Sequence, residues 1–347
     1  MKKIPRSSNM RWVFVIALLH LFAKATAAPV IGRPKTLKPQ AKPRVAVLPA
    51  SAYLSPTYYL KSCPNLERII QQKVSAWVKK DYTMAPSIIR LHFHDCAVRG
   101  CDASILLNHP GSERAAEASK SLRGFALIDE IKAEVERQCP KTVSCADILT
   151  AAARDTTVLA GGPFWEVPFG RKDGLVSLAK EANAVPQGHE NITSLLSFFD
   201  KLGLTFVDLV VLSGSHTIGR STCASVKQRL FNFKGTGKPD TTLDSKYSNL
   251  LKKQCRFDTN YVNLDATTPR TFDVAYYQNL GKKMGLLSTD QLLYSDSRTG
   301  SLVTLMATQP EFFSSQFAVS MVKVGNANVL TGKNQGEIRL NCNYVNH

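Results

Sequence analysis

Residues 87–104, SIIRLHFHDCAVRGCDAS, run an apolar helical segment into a loop bracketed by two cysteines. Ile88, Ile89 and Leu91 give the first half its apolar surface, and nothing breaks the run before Cys96. At about 3.6 residues per turn, Arg90 and His94 share a face with Phe93 beside them, while His92 points elsewhere. A guanidinium and an imidazole one turn apart can act together on a small polar ligand, the imidazole as base and the guanidinium as charge stabiliser. Beyond them Asp95, Asp102 and Ser104 offer oxygens, Gly100 permits a tight turn, and a Cys96–Cys101 disulfide would clamp the loop. Hard cations such as calcium take roughly six to eight oxygens from loops of this kind. Taken singly, such a histidine is more often a packed residue and such a loop more often a capped turn. The convergence of Arg, Phe, His, carboxylates and paired cysteines is what points to a site.

The N-terminus reads as a secretory leader over 1–27. Lys2, Lys3, Arg6 and Arg11 precede an apolar run from Trp12 to Phe22, and Ala25-Thr26-Ala27 supplies a small-x-small cleavage pattern. The run is about eleven residues, short for a bilayer span, so an uncleaved anchor is the weaker alternative. No later stretch reaches transmembrane length. The expected product is a soluble protein outside the cytosol. Residues 28–50 are rich in Pro and basic residues without one acid, which suits a flexible extension or removable propeptide.

That compartment decides how the cysteines read. Eight cysteines, at 63, 96, 101, 139, 145, 223, 255 and 342, imply up to four disulfides, and none of their spacings resembles a zinc site. Only Cys96 with Cys101 can be paired from spacing. Ten of the basic residues behind the formal charge of +17 lie before residue 51, leaving +7 on the body. That excess suits an acidic polysaccharide matrix as well as nucleic acid, but no stacked-aromatic or recognition-helix pattern favours nucleic acid.

From 51 to 347 the chain reads as one mostly α-helical unit. Leu66–Lys80, 122–138 and 143–160 carry apolar residues at three-four spacing, and Gly161-Gly162-Pro163 ends the last. Asn191-Ile192-Thr193 is a glycosylation sequon, which belongs on a surface loop. Thr205 is placed to cap a helix ending near His216. His216 lies in LSGSHTIG, the oxygen-rich LDATTPRTFD follows, and TDQLLY sets Asp290 among apolar residues. Two distant histidines, each near an oxygen-rich loop, suggest a cofactor held between two helices, and haem fits.

Taken together, SIIRLHFHDC, GCDASILL, SLRGF, VSCADIL, GGPFWEVPFGRKD, LSGSHTIG, TFD, STDQLLY and GEIRLNC resemble, in order and spacing, the secretory plant haem peroxidases (class III) over about residues 51 to 345. The resemblance implies an all-α fold with one haem b between distal and proximal helical halves. It implies Arg90 and His94 as the distal catalytic pair, Phe93 lining the pocket, His216 as axial iron ligand and Asp290 as its hydrogen-bond partner. Pro186 matches the aromatic-substrate position. One calcium ion would take Asp95, the carbonyls of Val98 and Gly100, Asp102 and Ser104; a second would take Thr217, Asp265, Thr268, Thr271 and Asp273. The implied disulfides are Cys63–Cys139, Cys96–Cys101, Cys145–Cys342 and Cys223–Cys255, with Asp147 and Arg171 as a buried ion pair. The implied activity is reduction of hydrogen peroxide with one-electron oxidation of phenolic donors, by a monomer.

Three departures stand out. The family carries an Asn about seven residues before its Arg-Gly-Phe corner, hydrogen-bonded to the distal His; SERAAEASKSLRGF is one residue shorter and has none. Peroxide cleavage slower than in typical relatives is therefore expected, with Glu113 near the family's Glu. Ala97 stands for a common Phe, and Leu264 for an aromatic beside the proximal His. A competing expectation is a wall protein that binds haem and calcium with negligible turnover. A cysteine or serine hydrolase is the weak third reading, because every cysteine has a structural partner and no nucleophile elbow is present.

Overall fold

The structure, a computed structural model, describes residues 50–346. The leader, and all but the last residue of the basic extension, lie outside the described residues. Thirteen α-helices carry the fold among them: α1 Leu66–Lys80, α2 Met84–Cys96, α3 Phe125–Gln138, α4 Cys145–Leu159, α5 Ala179–Ala182, α6 Ile192–Lys201, α7 Phe206–Ser213, α8 Cys223–Phe231, α9 Ser245–Gln254, α10 Ala275–Gly281, α11 Ser288–Ser295, α12 Gly300–Thr308 and α13 Pro310–Gly325. The fold is all-α but for one two-stranded ribbon, in which β1 (Arg220–Thr222) pairs antiparallel with β2 (Tyr261–Asn263).

Helix α4 is buried almost all round, as its run of alanines and aliphatics requires, and α1, α2 and α3 pack on it. This layer carries Arg90, Phe93 and His94 on α2. A second group, α7, α10, α11, α12 and α13, carries Asp290 on α11; α13 packs on both α7 and α2. One principal apolar core runs through both groups, and a smaller one lies under α8, α9 and β2.

Helix ends follow local chemistry. The helix expected from 122 begins at Phe125, because Gly124 sits at φ +107°, where a side chain would also strike Ile88. Ser144 Oγ accepts the Asp147 N–H at 3.1 Å and starts α4 at Cys145. Thr205 caps α7 through a reciprocal box with Asp208, whose carboxylate accepts the Thr205 N–H at 2.8 Å. This helix stops at Ser213, short of His216, and Gly214–Thr217 tightens into a 3-10 turn. Gly214 lies so close to Tyr277 and Phe313 that any side chain would collide there.

Four disulfides join Cys63–Cys139, Cys96–Cys101, Cys145–Cys342 and Cys223–Cys255, and no described cysteine is free. The Arg171 guanidinium donates to Asp147 at 2.8 Å with both side chains fully buried. Tyr59 and the Gly170 N–H, each at 2.8 Å, satisfy the other oxygen of that carboxylate. A buried pair needs this surrounding satisfaction to offset its desolvation.

Candidate active site

Helix α2, the turn after α7, the β1–β2 ribbon, α11 and α13 enclose a cavity of about 330 Å³. Arg90, Phe93, His94, Pro186, His216 and Asp290 all line it. The i, i+4 spacing therefore does place Arg90 and His94 together, as the helix geometry requires.

His94 is 5 % exposed, and its Nδ1 is buried without a hydrogen-bond partner, so Nε2 is the nitrogen open to the cavity. Burial, then the charge of Arg90, pushes the imidazole down to about 3, and it is neutral at ordinary pH. Arg90 donates to Ser121 Oγ and to the Ala118 carbonyl, each at 3.0 Å, which fixes the guanidinium against the cavity wall. Phe93 meets His94 edge-on, with ring centroids 6.4 Å apart. His92, expected to point elsewhere, also lines the cavity, and its Nε2 lies 3.6 Å from Cys96 Sγ.

Across the cavity, His216 Nδ1 donates to Asp290 Oδ1 at 2.8 Å. Tyr276 donates to the same oxygen at 3.0 Å, and the Leu287 N–H donates to Oδ2 at 2.9 Å. Burial alone would raise the Asp290 carboxyl, but the facing imidazole and these donors hold it below the usual range. With Nδ1 committed, Nε2 of His216 is left to the cavity. A carboxylate behind an imidazole fixes the tautomer and raises its basicity toward a metal.

The donor set fits haem. Leu209, Leu212, Leu293, Phe199 and Phe317 supply apolar walls that suit a flat macrocycle, and Ser87, Ser121 and Thr222 are polar residues on the same lining. His216 supplies a free imidazole nitrogen in the same space.

Two oxygen-rich loops flank the cavity. In the first, Asp95, Asp102 and Glu113 are all buried, and Ser104 Oγ and both Glu113 oxygens have no partner. Burial raises all three carboxyls, Glu113 to about 8. Backbone N–H groups of Ala103, Ile105 and Ser104 meet Asp95 and Asp102. Clustered buried carboxylates with unpartnered oxygens beside them are a donor set that suits a hard metal ion. Gly100 is buried and Val98 half-buried on the same loop. In the second, Thr217 and Thr268 hydroxyls lie 3.0–3.4 Å from Asp265 and Asp273. The exposed Thr271 joins through its N–H on the Thr268 carbonyl at 3.0 Å, so its backbone is what it brings. Asn191 is exposed at the start of α6, where its Oδ1 accepts the Ser194 N–H and leaves Nδ2 free. Ala97 packs with Ala118 and Val185 in a small apolar cluster, and Leu264 lines the cavity.

Sequence reasoning missed Tyr276 and Ser121. A tyrosine pair in AYYQN, with one ring against His216 at 5.9 Å, gives no signal of its own, since its partner Asp290 is fourteen residues away.

The peroxidase family model matches residues 70–309. The chain belongs to the peroxidase family. Peroxidase 7 of Arabidopsis thaliana is 49 % identical over 303 residues, covering 87 % of each chain. Peroxidase 72 of the same plant is 48 % identical over 86 % of this chain and 91 % of its own, and Peroxidase 2 of Oryza sativa subsp. indica is 45 % identical over 86 % and 94 %. This is a peroxidase enzyme of the plant type, using hydrogen peroxide and a donor, and its family implies haem. No helix among the described residues is long and apolar enough to cross a membrane.

Proposed function

We propose that this enzyme reduces hydrogen peroxide to water while oxidising phenols, with Arg90 and His94 as its catalytic pair and His216 as haem ligand. The observation carrying this reading is that two imidazoles open on one cavity, one backed by a buried carboxylate and the other by a guanidinium. When bound, haem b supplies an iron centre that peroxide oxidises and phenolic donors reduce one electron at a time.

The chain's own groups move the proton. His94 Nε2, neutral and facing the cavity, takes a proton from one peroxide oxygen and returns it to the other, which leaves as water. Arg90, held by Ser121 and Ala118, stabilises the negative charge that grows on the departing oxygen. Phe93 excludes water from the same wall. Asp290 anchors His216 and increases its electron donation. Pro186 lines the opening where a phenolic ring would rest.

Two calcium ions complete the reading: Asp95, Val98, Gly100, Asp102 and Ser104 hold one, and Thr217, Asp265, Thr268, Thr271 and Asp273 the other. The leader sends the chain out of the cytosol as a monomer, to the wall or vacuole, with Asn191 glycosylated and the basic body attracted to acidic polysaccharide.

The visible spectrum tests the reading. Haem-reconstituted wild type is expected to show a Soret band that shifts on adding peroxide. His216→Ala loses or displaces the resting band, whereas His94→Leu keeps it and loses the rapid shift. A colourless, folded wild type after haem and calcium are supplied overturns the assignment.

A further inference from the structure

The cavity is lined by one carboxylate, Asp290, which is committed to His216 and Tyr276, and by three arginines. Two of the arginines are engaged. Arg90 donates to Ala118 and Ser121, and Arg123 pairs with Asp81 at 2.6 Å and donates to Thr83. Arg220 has no hydrogen-bond or ion-pair partner for its guanidinium among the described residues. It lies instead over the ring of Tyr261, 4.5 Å from the centroid.

The ribbon fixes that stack. Arg220 pairs with Asn263 and Thr222 with Tyr261, so Arg220 and Tyr261 are diagonal neighbours on one face. Both are exposed, Tyr261 by 54 %, and both line the cavity, which places them at its opening. A core would bury such a ring, and a purely structural arginine would find an acid. Here a cation and an aromatic face are presented together at the cavity's opening.

We propose that Arg220 and Tyr261 form an anchoring subsite for phenolic donors that carry a carboxylate. The guanidinium fork donates two parallel hydrogen bonds to a carboxylate while its flat face keeps stacking on the ring. The donor's own ring lies along the Arg–Tyr stack with its phenol directed inward. This inference rests on the peroxidase reading and goes beyond it by naming the charge of the donor. A haem carboxylate offers the same chemistry from another source, and the test separates the two.

The holoenzyme is assayed with 4-hydroxy-3-methoxycinnamate and the matching cinnamyl alcohol, which share a ring and differ in charge. Wild type is expected to prefer the acid through a lower KM, and the preference shrinks as salt is raised. Arg220→Gln lowers the acid-to-alcohol ratio of kcat/KM about tenfold, through KM of the acid, as loss of a charged hydrogen bond implies. Arg220→Lys, which keeps the charge without the fork, falls between. An unchanged ratio overturns the subsite. Equal losses for both donors together with lost haem absorbance overturn it too, and assign Arg220 to the cofactor's carboxylate. If wild type oxidises neither donor, the peroxidase reading fails. Equilibrium dialysis of acid and alcohol against wild type and Arg220→Gln then decides the subsite alone: about tenfold weaker binding of the acid upholds it, and equal binding sinks it.

Discussion

His216 and Asp290, 74 residues apart in the chain, meet at 2.8 Å through Nδ1 and Oδ1, and the carboxylate they share with Tyr276 stays ionised despite full burial. This pair ties the turn after α7 to the start of α11 and leaves one nitrogen of the ring for a metal.

Replacing the carboxylate tests that tie. Asp290→Asn is expected to lower the rate of reaction with peroxide by about ten- to hundredfold, the usual cost of losing a partner behind a metal-bound imidazole. The haem reduction potential rises at the same time, because less negative charge reaches the iron. Tyr276→Phe removes one donor and moves the potential in the same direction by less. Spectroelectrochemistry beside stopped-flow mixing reads both.

With His94 as the proposed base, the acid limit of activity is expected to follow its titration. The group acts as base only when neutral, and burial with the Arg90 charge lowers its proton affinity to about 3. A lowered value means that the neutral form persists on acidification, so kcat/KM for peroxide stays flat down to about pH 3 and falls below it. Arg90→Leu removes the second cause and moves the limb upward while lowering the plateau. A limb at the ordinary histidine value in wild type would contradict the burial.

The buried Asp147–Arg171 pair predicts an asymmetric response. Asp147→Ala strands a fully buried guanidinium and is expected to cost about 3–5 kcal/mol, read by thermal or denaturant unfolding of the holoenzyme. Asp147→Leu with Arg171→Met removes both charges and loses less than the single change.

Chelation checks the two oxygen loops. With calcium at about 100 times its Kd, each bound ion contributes about 2.7 kcal/mol, so chelator lowers the melting temperature by several degrees. Asp102→Asn empties only the loop of Asp95 and Glu113, so chelator shifts this variant about half as far. Equal shifts would place the metal elsewhere.

How much of this was legible depended on distance along the chain. Arg90 and His94 are one helical turn apart, and the helix rule alone set them on one face. The Leu66–Lys80 helix was likewise readable, bounded as its apolar spacing implies. Non-local contacts were opaque to periodicity: His216 with Asp290, Arg90 with Ala118 and Ser121, and the Arg220–Tyr261 diagonal all depend on how distant elements pack. Resemblance supplied the first of these and none of the others. Helix ends shifted where glycine mattered, at Gly124 for its left-handed backbone and at Gly214 for its closeness to Phe313. The fate of the leader and extension lies outside the described residues.

The departure at the distal histidine leads to the last prediction. The segment before the Arg-Gly-Phe corner lacks the family's Asn, and His94 Nδ1 is buried with no partner. An acceptor there would stabilise the protonated ring and orient it; without one, the base is weaker and its tautomer is not held. Nothing else around Nε2 is missing, since Arg90 is fixed by two hydrogen bonds and Phe93 braces the ring. The enzyme is therefore expected to react with peroxide about ten times more slowly than relatives that carry the Asn, while electron transfer from donors, which does not use Nδ1, runs at their rate. Stopped-flow measurement of the two half-reactions separates these steps: a slow first step with an ordinary second one follows from the unpaired nitrogen, and peroxide rates equal to those of the Asn-bearing relatives would show that His94 needs no such support.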